Sequence, residues 1–566
     1  MHARLITTPD AAKLPRAALL LVCLLYVLPG LLGRDPWTVD DAVGFGIAHT
    51  MAFGGWADWV RPNVAGLPVF DDGPLSHWLA AAAARLPGVE STLAVRLAAA
   101  AWLAAALAAV WYALYGLASR PDAQPIDPFG ASPSRTDYGR AVADAGLLVL
   151  LGTVGPIARV HETTSDSLQF ALAAAFLFGA VRALRAPRAG GLVAGAAVGA
   201  TVMTTGVVPA AALLAAGCAL PLVSRPYRLV TRAYLRALLG AAALLGAAWP
   251  ALLAAGGPEG LAHLARWLGS QRPLPPGAWL AQLAGSAPWF FWPAWPIAAW
   301  SFYAGRARLA EPELAVPLCA LGALGALAAA AGTPPATGAM LAMAPAMAML
   351  AAAGLPTLGR RVLSLIDWFA VAAFTVFALA MWAYWLAFAS GSPPRMAASI
   401  ARLAPGLSRP AQPLGLACAL AVTAAWLLLV RWRVARHPRA LWRSVMLSAG
   451  GLTLAWALLM TLWLPVFDLR KSHRELASQM AAVVPADHRC VAAEGVEAAA
   501  RAGFGAFAGL RFAAPGLPAA ACDWLLVGDR AGARAPLPDA AAWSLAWEGR
   551  RATDRSERYR LFRRAP

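Results

Sequence analysis

Long apolar runs separated by short, arginine-bearing connections constrain this chain more than any other feature. The first spans Ala17 to Leu32. Others follow near Thr92–Ala118, Ala141–Ile157, Leu168–Leu184, Leu192–Thr205, Val207–Val223 and Ala237–Ala255. The later ones lie near Ala287–Tyr303, Leu314–Ala331, Gly338–Leu355, Ile366–Ala389, Leu414–Trp432 and Val445–Leu464. At roughly 20 residues per crossing these make about thirteen membrane spans. Helices satisfy their own backbone hydrogen bonds in lipid, so a helical bundle is the expected fold. Composition agrees: 60% of the 566 residues are hydrophobic and 13% charged, with a mean hydropathy of +0.59.

A formal net charge of +18 could suggest a nucleic-acid partner, but the arginines do not form a continuous basic face. They fall between apolar runs at Arg182, Arg185 and Arg188, at Arg225 to Arg236, at Arg306 and Arg308, at Arg360 and Arg361, and from Arg431 onward. Those are alternate loops, and an excess of Lys and Arg marks cytoplasmic loops. The expected N-terminus is therefore cytoplasmic, the first run an uncleaved span, and no nucleic acid is a partner. The opposite loops, and everything after Pro465, face outward. Residues 1–464 read as the membrane domain. Residues 465–566 read as a small α/β domain outside the membrane, with a helix over Ser472–Val484 and strands at Arg489–Ala493, Trp524–Val527 and Arg558–Arg563.

Chemistry is concentrated in the outward loops. The first, Arg34 to Glu90, carries Asp35, Asp40, Asp41, Asp58, Asp71 and Asp72 together with Trp37, Trp56, Trp59 and Trp78. Two spans could be joined with far less, and the tryptophans suit a half-buried shelf at the membrane interface. Asp40 and Asp41 open a helix whose Val43, Ile47 and Met51 share a face. A carboxylate there either caps the helix or serves a site. Asp71-Asp72-Gly73-Pro74 forms a turn before an amphipathic helix over Leu75–Leu86. Arg61 can meet a phosphate. The second outward loop holds Arg159, His161, Glu162 and Asp166, and ionisable groups at a span mouth are commonly functional; Asp166 is a cap or a site. The third, Gly256–Gly285, adds His263, Arg266, Trp267, Gln271 and Arg272. No cofactor is expected: there is no P-loop, dinucleotide fingerprint, zinc spacing or nucleophile elbow, and no ligand spacing supports a divalent cation.

Of six cysteines, Cys23, Cys218, Cys319 and Cys418 lie in or beside apolar runs, as small hydrophobes. Cys490 and Cys522 share the outer domain and read as a disulfide in an oxidising compartment.

A span followed by Asp40-Asp41, Met51, a glycine pair, Asp58-Trp59, Asn63, Gly66-Leu67, Phe70-Asp71-Asp72 and Trp78 resembles the GT-C glycosyltransferases. Within them it is similar to the bacterial aminoarabinose transferases of lipid A and the protein mannosyltransferases. Asp166 before the fourth span fits, as does Leu464-Pro465-Val466-Phe467-Asp468 leading through Lys471-Ser472-His473-Arg474 into an outer domain. The chain departs from the pattern at Asp41, Val43 and Gly44, where the family carries Glu, Arg and Tyr, and at Gly73, where aminoarabinose transferases carry a lysine. The resemblance implies an enzyme of the bacterial inner membrane that moves a sugar, with inversion, from a polyprenyl-phosphate-linked donor to an envelope acceptor: lipid A, a glycolipid or a protein. It implies a catalytic role for Asp40, with Asp41 and Asp166 beside it, and substrate binding by Arg61, Asp72, Arg159, His161 and Arg272. Two other readings stand beside it: a transporter or flippase of lipid-linked precursors, and an inactive relative acting as a scaffold.

Overall fold

The computed structural model describes residues 10–125, 132–271, 284–331, 337–407, 413–435, 440–530, 538–551 and 557–565. Every apolar run coincides with a helix. Among the described residues seven helices are long and apolar enough to cross a membrane: Ser91–Ala118, Ser165–Ala183, Thr231–Ala255, Gly338–Thr357, Arg361–Ser390, Pro413–Arg433 and Val445–Leu462. Shorter apolar helices cover Arg16–Val27, Val207–Val223 and Pro312–Ala326. The remaining runs match Arg135–Leu151, Pro187–Val202 and Ala294–Gly305. The chain is a multi-pass helical membrane protein.

Lipid offers no hydrophobic drive to bring helices together, so close backbone approach must hold them. Pro187–Val202 shows how the sequence achieves it. Gly191, Gly195 and Gly199 recur every four residues along one face, which lies against Thr231–Ala255. A Cβ on Gly195 would sit 2.2 Å from the Leu238 carbonyl oxygen, and one on Gly191 2.5 Å from that of Tyr234. Only glycine permits that contact.

Between the first span and Ser91–Ala118, the first loop folds into short helices and a two-residue hairpin. The helices are Val39–Phe53, Trp56–Val60 and Leu75–Ala84; the hairpin pairs Asn63-Val64 with Leu67-Pro68. The C-terminal region forms a four-stranded sheet ordered Val491–Glu494, Trp524–Arg530, Glu557–Arg564, Trp543–Gly549. The first two strands run parallel, joined through the helix Ala498–Ala508 as a crossover, and the other neighbours are antiparallel. Met480, Phe504, Leu526 and Leu561 form its core. The helix expected over Ser472–Val484 is shorter, Arg474–Ala481. Cys490 and Cys522 are joined in this domain across 32 positions of chain.

The sheet domain roofs the first loop. Ala498–Ala508 lies on Val39–Phe53, where the Phe45 and Phe507 rings stack with centroids 5.5 Å apart. A Cβ on Gly46 would meet the Ala502 Cβ at 2.5 Å. The junction is also polar: Asp35 accepts from Arg474 Nη2 at 2.6 Å and from the Ser472 hydroxyl at 2.8 Å. Trp37 donates its indole N–H to Asp468 at 2.7 Å and stacks on Phe467.

Candidate functional site

Thr38 begins the site. Its hydroxyl accepts from the backbone N–H of Asp41 at 3.2 Å, the N-cap bond that starts Val39–Phe53. Asp40 and Asp41 then occupy neighbouring positions in the first turn, where side chains point about 100° apart. One carboxylate turns into the protein and the other outward.

Asp41 is the inward one and is fully buried. One oxygen accepts from Arg96 Nη1 at 2.9 Å and the Thr163 N–H at 2.7 Å; the other accepts from Arg96 Nη2 at 2.8 Å and the Trp37 N–H at 3.2 Å. Arg34 adds a cation at 3.6 Å. Burial alone would raise the Asp41 carboxyl, but the two arginines and these hydrogen bonds outweigh it and hold the group below its ordinary range. With two partners on each oxygen, Asp41 has no capacity left for a substrate. The catalytic role expected for it is corrected: it is a buried structural carboxylate.

Asp40 has an exposed side chain and lines a cavity of about 610 Å³. From the first loop the wall also includes Val43, Gly44, Phe70, Asp71 and Asp72; from the second loop and its helix, Thr164, Ser165, Asp166 and Gln169. Membrane helices close the other side with Val208, Pro209, Ala212, Leu324 and Ala342. Gly44 is obligatory here, since a Cβ would lie 1.7 Å from the Thr163 carbonyl oxygen. The loops interlock at the very position where the resembled family carries a large side chain.

Of the expected site residues, Asp40, Asp72 and Asp166 meet at the cavity. Asp72 is pushed up to about 8, chiefly by burial and next by the charge of Asp166; Asp71 and Asp40 add to the shift, and the Ser165 hydroxyl opposes it. Asp72 is therefore mostly protonated at neutral pH and can donate a hydrogen bond as well as accept one. Asp166 stands in the first turn of Ser165–Ala183 but makes no cap hydrogen bond from the N-cap position, which is Thr164. It lies on the cavity against Gly338.

Arg159 sits at the rim. Its Nη1 reaches Asp40 at 3.3 Å and Glu162 at 3.0 Å. His161 is elsewhere than expected: buried, with Nδ1 2.6 Å from the Ile157 carbonyl and Nε2 2.9 Å from that of Tyr26, and its ring on Trp456. Burial first, and then Arg34 and Arg96, draw it down to about 4 against those carbonyls, which favour the protonated ring, and with both nitrogens engaged by the backbone it has no ring nitrogen left for a substrate. Arg61 does not line the cavity; it pairs with Glu259 and ties the first loop to the helix Gly257–Ser270. Arg272 lies outside the described residues. Among the described residues no group of three or more His, Cys, Asp or Glu is placed to hold a metal ion.

Arg96, Arg34, Ser165 and Gln169 were not candidates. Arg96 had a readable signal, as the lone charge in the apolar stretch Thr92–Ala118, where an ionisable residue needs a buried partner. Ser165 and Gln169 carried none.

No protein-family model and no curated protein sequence matches the chain. Among solved structures it is similar to ArnT from Cupriavidus metallidurans bound to undecaprenyl phosphate, with a TM-score of 0.66 and 16% identity over 96% of this chain and 97% of that one. The apo state of the same protein gives 0.64 and 16%, with 96% of each chain covered. An oligosaccharyltransferase from Archaeoglobus fulgidus gives 0.45 and 11%, covering 88% and 63%. At such identities the likeness is one of architecture, and the chain has the ArnT-like GT-C fold over nearly its whole length.

Proposed function

We propose that this chain is a glycosyltransferase that moves a sugar from a polyprenyl-phosphate carrier to an envelope acceptor on the outer face of a bacterial inner membrane. One observation carries the reading: Asp40, Asp72 and Asp166 stand on a single cavity whose opposite wall is apolar and belongs to membrane helices. A lipid-borne donor can lay its chain along such a wall and present its head to the carboxylates. The fold likeness to a protein crystallised with undecaprenyl phosphate is consistent with that donor class.

Transfer with inversion breaks the bond between the anomeric carbon and the phosphate oxygen, whose electron pair leaves with the lipid phosphate. It forms a bond from the anomeric carbon to the acceptor atom, whose proton must be taken up. Asp40 takes that proton: its side chain is exposed to the cavity, and Arg159 orients it. Arg159 at the rim and the neutral carboxyl of Asp72 supply the positive charge and the hydrogen bond that the departing phosphate needs. Among the described residues no Lys, Arg or His lines the cavity itself, and Arg159 reaches its edge through Asp40; these two groups carry that task.

The test is turnover of purified protein in lipid, given a pool of polyprenyl-phosphate sugars and an extract of envelope acceptors, with mass spectrometry of the products. Release of free polyprenyl phosphate together with a glycosylated acceptor supports transfer. Binding of the carrier with no release, or uptake into vesicles, would favour a scaffold or a transporter instead.

A further inference from the structure

Gln169 is a polar group of the cavity wall that plays no part in the chemistry above. It stands on Ser165–Ala183, one turn beyond Asp166 on the same face. It lines the cavity although only 2% of its surface is exposed. The Thr205 hydroxyl donates to its Oε1 at 3.0 Å. Its Nε2 is buried and has no hydrogen-bond partner among the described residues. Buried polar groups are ordinarily paired, so a partnerless one in a cavity wall calls for an explanation. One end of this amide is fixed by the protein, and the other is left for what enters the cavity.

The turn between Pro187–Val202 and Val207–Val223 sets this geometry. Gly206 holds it with a φ of +108°, and a Cβ there would collide with Gln271 Oε1. The same turn docks onto the bend that carries Asp72. The Gly73 N–H donates to the Thr204 carbonyl at 2.8 Å and the Leu75 N–H to that of Met203 at 3.1 Å. A Cβ on Gly73 would run into the Met203 carbonyl. One backbone turn therefore fixes the Asp72 bend and, through Thr205, the Gln169 amide.

The surroundings decide which group the free Nε2 suits. The only cation placed at the cavity's edge among the described residues is Arg159, beside Asp40. A phosphate seated against Gln169 would face the carboxyls of Asp166 and Asp72 with no cation next to it. A sugar hydroxyl suits both kinds of neighbour, because it accepts from an amide N–H and donates to a carboxyl oxygen. The Asp166 and Gln169 positions, three apart on one helix, lie about 5–6 Å from each other at Cβ, a gap that one hydroxyl can bridge.

Resting on the transferase reading above, we infer that Gln169 is a specificity-determining residue: its Nε2, held by Thr205, donates to one hydroxyl of the donor's sugar, which in turn donates to the Asp166 carboxyl. The phosphate then lies toward Arg159 and the sugar ring toward Gln169. Inverting the ring carbon that bears this hydroxyl carries its oxygen away from both partners, so the pair reads the configuration at one carbon of a hydroxylated sugar.

Gln169→Met removes the amide and nearly keeps the volume. The probes are undecaprenyl phosphate carrying each of a panel of hexoses and pentoses that includes glucose, mannose, galactose and arabinose, with the envelope extract as acceptor. Wild type is expected to favour one sugar over an epimer by about tenfold or more in kcat/KM. Gln169→Met lowers kcat/KM for the favoured sugar by about tenfold, the weight of one neutral hydrogen bond, and leaves the disfavoured epimer within about twofold of wild type. Thr205→Val, which frees the amide to turn, weakens the preference by less, and Thr205→Ser restores it. Affinity for sugar-free undecaprenyl phosphate stays at the wild-type value in every variant. Rates lowered equally for all sugars in Gln169→Met, or a preference left intact, overturn the inference and make the residue structural. Weaker binding of sugar-free undecaprenyl phosphate overturns it too, and assigns the amide to the phosphate. A wild type that transfers epimers with equal efficiency also contradicts it. If wild type transfers no sugar at all, the transferase reading itself fails and takes this inference with it.

Discussion

Arg96 meets Asp41 through two hydrogen bonds of 2.9 and 2.8 Å, with both side chains buried. The arginine belongs to the long helix Ser91–Ala118 and the aspartate to the first turn of the loop helix Val39–Phe53. The pair therefore locks the loop onto the bundle one residue away from Asp40. Arg96 also donates to the His161 carbonyl at 3.0 Å and the Asp35 carbonyl at 3.1 Å, so one guanidinium joins the first loop to the second. The position of Asp40 is set from behind by its neighbour.

Removing one partner of such a pair leaves the other charge buried and uncompensated, at a cost of about 3–5 kcal/mol. Arg96→Met is expected to lower the thermal midpoint of the purified protein steeply, and the double variant Arg96→Met, Asp41→Asn to lower it less. Because the Asp41 carboxyl is held below its ordinary range, its stabilisation is present above the unfolded value, about 3.9, and is lost as pH falls through the lower folded value. Melting curves across acid pH should show that loss in wild type and little of it in the double variant. Equal melting of Arg96→Met and wild type would show the pair to be dispensable.

The two adjacent aspartates also mark how far the sequence could be read. Thirteen apolar runs became thirteen helices because hydrophobic length is a local property of the chain. That Asp40-Asp41 opens a helix was local too, through Thr38 and the apolar face of Val43, Ile47 and Met51. Which carboxylate faces the cavity was not, since it depends on Arg96, 55 positions away, and on the Thr163 amide. His161 misled for the same reason: a polar residue in a loop expected to face outward lies buried against Trp456 and two backbone carbonyls. In the C-terminal domain, strands rich in Leu, Val, Phe and Tyr were legible. Trp543–Gly549 was missed although Trp543, Leu545 and Trp547 alternate, because it is a mostly exposed edge strand.

Asp72 gives a prediction in pH. Its carboxyl is raised to about 8, so the neutral, hydrogen-bond-donating form is lost as pH rises through that value. If that form assists the leaving phosphate, transfer declines on the alkaline side with a midpoint near 8. Asp72→Asn keeps a donor at every pH and should flatten that limb. Rate profiles of the two proteins from pH 6 to 10 decide it. A wild-type rate unchanged to pH 9.5 would remove Asp72 from the mechanism.

The arginine-bearing loops predict a site on the outer side. Alkaline phosphatase fused after Pro465 is expected to be active in a bacterial host, and fused after Arg361 inactive. The reverse pattern would put the cavity on the cytoplasmic side, where a donor on the outer face could not reach it.

The Cys490–Cys522 bridge closes a loop with a sequence separation of 32. A closure of that length is worth on the order of 3–4 kcal/mol in the chain-entropy account. Peptide mapping without reductant should recover the two cysteines in one cross-linked species, and reduction should expose residues 491–530 to protease. Recovery of both as free thiols from freshly isolated membranes would contradict it.

The most direct test of the account is the turnover of Asp40→Asn. The substitution keeps the side chain's size and its place beside Arg159 while removing its capacity to take a proton. With folding verified by an unchanged melting temperature, sugar transfer from polyprenyl phosphate should fall by about 10²–10⁴, while the affinity for the carrier stays close to that of wild type. Transfer at near wild-type rate by well-folded Asp40→Asn would contradict the assignment of this carboxylate as the base, and with it the catalytic reading of the cavity.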